Sequence, residues 1–118
     1  MYDDAPYDYF RVAGNLIFSA GACPLGESGH VVAPGDFERQ AARAVENLVL
    51  ALAMAGSDLD GLLETTIYVA SGDRSDLVWV WQSMASQLGR APSSPIGVSV
   101  LGYPDQLVET VAVARAAH

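Results

Sequence analysis

Few side chains in this sequence could move a proton, attack a carbon or hold a metal. All six basic residues are arginines (Arg11, Arg39, Arg43, Arg74, Arg90 and Arg115), so Schiff-base chemistry on a lysine is excluded. Two histidines, His30 and His118, and one cysteine, Cys23, do not supply the ligand set of a zinc or transition-metal site. No metal and no cofactor is expected. Cys23 lies in an apolar strand with no histidine beside it in sequence, the setting of a small buried thiol rather than a nucleophile. His30 falls in the turn "PLGESGH" and reads as a solvated loop residue. Ser93, Ser94 and Ser99 could donate hydrogen bonds, although turn chemistry beside Pro92 and Pro95 accounts equally for the first two. Glu109 stands in the last strand with the same parity as Val111, on one sheet face and about 6.5–7 Å from it. It could serve as a proton acceptor or pair with an arginine at a subunit contact.

The elements that must position these residues follow in the order ββ(β)αβαββ. Tyr9–Val12 and Leu16–Cys23 read as a β-hairpin around Gly14. A short extended piece at Val31–Val32 follows. Asp36 is placed to cap a helix whose apolar stripe is Phe37, Ala41, Ala44, Val45, Leu48, Leu52 and Ala55, with Gly56 at its C-terminal end. Glu38, Arg39, Arg43 and Glu46 form its solvated face. A strand is expected at 62–70, then a second helix capped by Ser75 with Leu77, Trp81, Met84, Ala85 and Leu88 inward and Gly89 at its end. Strands at 96–101 and 107–115, joined by a turn at Gly102–Asp105, close the domain.

With 118 residues the chain makes one domain, able to form a core without disulfide or metal staples. Hydrophobic residues make up 51% and no apolar run approaches the roughly 20 residues that span a bilayer. The acidic start "MYDDAPYDYF" is not a secretory signal, and a cytoplasmic location is the expectation. Fourteen acidic residues against six basic ones give a net charge of −8, which repels phosphate backbones and argues against nucleic-acid binding. Two helices cover one face of a sheet, yet Leu107, Val111 and Val113 alternate with Val108, Ala112 and Ala114 in the last strand. Both faces are apolar, so a second copy of the chain is expected on the uncovered one.

The segments "GNLIFSAGACPL", "ENLVLALAMAGSDLDGLLETTIYVA" and "VLGYPDQLVETVAVA", in that order and at these distances, resemble the RidA (YjgF) family from about Ala5 to Ala116. The resemblance implies an α+β, chorismate-mutase-like fold: a mixed sheet with two helices packed on one face, assembled as a homotrimer. It implies clefts between subunits in which deaminating members hydrolyse enamines and imines. It places Tyr7 in the cleft, with Ala20 where serine is usual and Gly21 retained beside it. The arginine that holds a substrate carboxylate falls on Pro95, or on Ser94 with a shift of one. A common cysteine falls on Gly97, and the acid that positions water falls on Val111.

Tyr7 and Glu109 are therefore the candidate catalytic residues, and Ala20, Gly21, Ser94, Pro95, Gly97 and Val111 the candidate substrate-binding ones. A carboxylate without a cation loses about 1.5–3 kcal/mol of charge-assisted hydrogen bonding, so a neutral small molecule is the expected substrate. Backbone N–H groups near Gly21 and Gly97 could hold a developing oxyanion. The first reading is hydrolysis of a neutral imine or enamine. The alternatives are a biosynthetic step (water addition, tautomerisation or cyclisation) and a non-catalytic ligand-binding or regulatory trimer. Ribonuclease activity fits neither the charge nor the absence of a histidine pair.

Overall fold

A computed structural model describes residues 2–116; His118 lies outside them. Strands β1 (Phe10–Ala13) and β2 (Leu16–Ser19) form a hairpin, followed by helix α1 (Phe37–Met54) and a 3-10 turn (Leu59–Gly61). Strand β3 (Leu62–Val69), helix α2 (Arg74–Leu88), strand β4 (Ser93–Gly97) and strand β5 (Val108–Arg115) complete the chain. The sheet runs β1-β2-β5-β3-β4, antiparallel except for the parallel pair β3–β4, which α2 connects. This is the expected mixed sheet. Among the described residues no helix is long and apolar enough to cross a membrane.

Both helices pack on one sheet face. Ile17, Ile67, Val69, Val108 and Ala114 are fully buried against Leu48, Leu52, Val80 and Met84. Asp36 caps α1 by accepting the Arg39 N–H at 3.0 Å. Two amides, Gln40 and Asn47, are buried on the same side of α1 as its apolar stripe. Gln40 donates to the Asp105 carbonyl at 3.0 Å and accepts the Leu107 N–H at 2.8 Å, tying the turn before β5 to the helix. On the opposite sheet face Phe18 (44% exposed), Ile96 (43%), Tyr68, Val111 and Val113 remain uncovered by this chain.

Three local expectations are corrected. The α2 cap is Asp73, not Ser75: its carboxylate accepts both the Ser75 N–H at 2.9 Å and the Ser75 hydroxyl at 2.7 Å. Strand β4 covers Ser93–Gly97 rather than 96–101, because its register is set by pairing with β3, Thr65 opposite Ser93 and Val69 opposite Gly97. Pro95 is tolerated there: Val98 N–H turns inward to the Val69 carbonyl, so by two-residue alternation position 95 faces the free edge, where no donor is needed. The second strand does not run unbroken to Cys23. Phe18 faces Val113 and Ala22 faces Thr110, so three residues, Ser19 to Gly21, oppose two, Val111 and Ala112. This is a bulge, and the Ser19 hydroxyl covers the break by accepting the Ala112 N–H at 2.9 Å.

Candidate active site

The bulge at Ser19–Gly21 brings Gly21 under the side chain of Glu109. A methyl group on Gly21 would displace the Glu109 carboxylate from this position, so glycine allows the carboxylate to lie directly over the backbone here. One carboxylate oxygen, Oε1, accepts from Gln106 Nε2 at 3.1 Å and from Cys23 Sγ at 3.2 Å. The other end of the Gln106 amide accepts the Tyr103 N–H at 3.1 Å, and its Nε2 also reaches the Val108 carbonyl at 3.0 Å. Tyr103 in turn shares a 3.1 Å hydrogen bond between hydroxyls with Tyr7, whose ring meets Tyr9 edge-on with centroids 5.7 Å apart. Tyr7, Tyr103, Gln106, Cys23, Gly21 and Glu109 thus form one connected cluster within a single chain.

No arginine holds Glu109; the ion pairs among the described residues are Arg39–Asp36 and Arg43–Glu46, both on α1 or at its start. Its supports are a neutral amide and a thiol. Burial, with the neighbouring carboxylate, pushes the Cys23 thiol from 9.0 up to about 12. It is therefore protonated at neutral pH and acts as a donor to Glu109, not as a nucleophile. Burial, then the Tyr103 hydrogen bond, likewise pushes the Tyr7 phenol upward, so it stays a neutral hydrogen-bonding group. The cluster offers one carboxylate able to take a proton, with a neutral hydroxyl pair beside it.

The remaining candidate residues divide by sheet face. Tyr68 pairs with both Glu109 and Ile96, and Thr66 with both Val111 and Ser94. Paired neighbours project to the same side, so Ser94 and Val111 share the uncovered face with Glu109. Pro95 is opposite Ile67 and Gly97 opposite Val69, both core residues, so these two positions belong to the helix-side rows. A side chain on Gly97 would press on the Ser71 carbonyl and Leu77 of α2. Gly97 instead edges an open groove of about 820 Å³ with Ser71, Arg74 and Ser99, which shares no residue with the Glu109 cluster. Ala20 lines a small hollow behind Tyr7 and Cys23. His30 takes part in a turn through its carbonyl alone, which accepts the Gly26 N–H.

Tyr103, Gln106 and Asn47 were not among the sequence candidates. Tyr103 lies in the turn read at Gly102–Asp105 and Gln106 just after it, before the expected strand; the one signal is an amide three residues before Glu109. Asn47 repeats the positions of Gln40, Ala44 and Ala51 at helical spacing, a polar residue in a buried row.

A two-layer α+β protein with a hydrogen-bonded, carboxylate-centred cluster near the start of its central strand is the class that this fold and site define. The chain belongs to the endoribonuclease L-PSP family, the RidA/YjgF group, which it matches over residues 2–116. It is 32% identical over 111 residues to a RutC family protein of Pyrococcus abyssi, spanning 92% of this chain and 85% of that one. Among solved structures it resembles a Rid-family protein of Yersinia pestis, with TM-score 0.82 and 24% identity over 95% of this chain and 89% of that one. It also resembles the YjgF gene product of E. coli, with TM-score 0.76 and 23% identity over 95% and 89%. These last two likenesses concern the fold.

Proposed function

We propose that the chain hydrolyses a small neutral imine or enamine. One observation carries this reading: Glu109, the acid of the cluster, is anchored through Oε1 by Gln106 and Cys23, without a cation to neutralise it. An anchored, unpaired carboxylate in a cleft suits a proton acceptor that activates water. Water adds to the C=N carbon as Glu109 takes its proton. Passing that proton to nitrogen gives a neutral carbinolamine. Glu109 then takes the carbinolamine hydroxyl proton and hands it to nitrogen as the C=O bond forms and the C–N bond breaks, releasing ammonia and a ketone or aldehyde. Tyr7, hydrogen-bonded to Tyr103, orients the nitrogen or the oxygen that forms. The absence of arginine at Ser94 and Pro95 supports a substrate without a carboxylate. Purified protein mixed with freshly generated neutral imines should accelerate ammonia release; no acceleration across a panel of such imines would refute the reading.

A homotrimer is part of the proposal. The uncovered face carrying Phe18, Ile96, Val111 and Val113 is apolar, and burial against a second copy removes it from water. The Glu109 side of the sheet then becomes a cleft between subunits. Sedimentation should give three times the 12.4 kDa chain mass, whereas a stable monomer at micromolar concentration would contradict the assembly.

A further inference from the structure

Asn47 is 5% exposed, and its amide is held one way round. Its Nδ2 donates to the Cys23 carbonyl at 2.9 Å and to the Leu25 carbonyl at 3.0 Å. Turning the amide over would set oxygen against two carbonyl oxygens, so the orientation is fixed by its partners. Oδ1 is left buried with no protein donor among the described residues. Buried amide oxygens are rarely unmet, and those that lack a protein partner commonly bind an ordered water.

The space is there. Asn47 lines a hollow with Tyr7, Ser19, Ala20, Cys23 and Ala51 whose free volume is about 10 Å³, enough for one water. Ser19 adds the second polar contact. Its oxygen already accepts the Ala112 N–H, which leaves the hydroxyl hydrogen free to donate into the hollow that Ser19 lines. An acceptor on one wall and a donor on another match a molecule that both gives and takes a hydrogen bond.

We propose that this hollow is a binding site for a single resident water, donating to Asn47 Oδ1 and receiving the Ser19 hydroxyl. The water closes the space between α1 and the bulged segment Ser19–Cys23. Asn47 therefore holds that segment twice, directly at the Cys23 carbonyl and through the water. The far side of the segment carries Gly21 beneath Glu109, so the site lies one layer behind the carboxylate. It does not depend on the reaction proposed above.

A high-resolution crystal structure of the ligand-free protein tests this directly. One isolated density peak at roughly 2.7–3.2 Å from Asn47 Oδ1 is expected. The substitution Ala51→Val should fill the hollow and remove the peak, and with it one long-lived water in magnetic relaxation dispersion of the wild-type protein. An empty hollow in the wild-type density, or an Asn47 Oδ1 that accepts from a protein donor, would overturn the proposal. Should Ala51→Val not fold, the wild-type density alone decides.

Discussion

Gln106 Nε2 sits 3.1 Å from Glu109 Oε1, while the same amide takes the Tyr103 N–H at its other end. A single side chain therefore fixes both the acid and the backbone of the tyrosine that partners Tyr7. Gln106→Leu leaves Glu109 with the Cys23 thiol as its remaining side-chain donor. The loss of a hydrogen bond to a charged group, about 1.5–3 kcal/mol, should lower turnover by about 10- to 100-fold. Steady-state kinetics checks this, with circular dichroism to confirm the fold. Unchanged turnover would show that Glu109 is positioned without Gln106.

Cys23 gives a pH prediction with a definite sign. Folding raises this thiol from 9.0 to about 12, so above pH 9 the native chain keeps a proton that the unfolded chain has released. Its contribution to stability is thus complete below about pH 9 and is lost as pH rises toward 12. Denaturant midpoints for wild type and Cys23→Ser should converge across that window. Iodoacetamide should label the folded protein slowly near neutral pH and the unfolded protein quickly; rapid labelling of the folded form would contradict the assignment.

The sheet faces separate two restorations of the missing cation. Ser94 stands in the row of Val111 on the Glu109 side, whereas Pro95 stands opposite Ile67 in a helix-side row. Wild-type protein should leave 2-aminoacrylate decay unchanged, since its carboxylate meets no arginine in the cleft. Ser94→Arg should accelerate that decay by about tenfold or more, the worth of one charge-assisted contact, and Pro95→Arg should not. The reverse ranking would place the substrate on the other side of β4.

Local chemistry made much of the fold legible. Asp36 before a three-four apolar spacing defines α1, and Gly14 between β-rich runs defines the hairpin. What depended on distant partners was not legible. The stretch Ile96–Leu101 suits a strand by composition, yet pairing with β3 places the strand earlier, at Ser93–Gly97. The segment Leu16–Cys23 reads as one strand, and only the β5 register shows the extra residue that sets Gly21 beneath Glu109. For the site, strand parity put Glu109 and Val111 on one face. Two of the partners, Gln106 for Glu109 and Tyr103 for Tyr7, come from the turn before β5, which is tied to Gln40 in α1 some 65 residues away in sequence.

We propose that Glu109 activates water for hydrolysis of a neutral C=N bond. Glu109→Gln keeps the shape and the contacts of an amide but cannot take a proton. Its rate of ammonia release from the best neutral imine, measured beside wild type under saturating conditions, tests the claim most directly. A fall of about 10²- to 10⁴-fold with the fold and oligomeric state preserved is the predicted result. A Glu109→Gln protein as active as wild type would show that Glu109 is not the group that activates water.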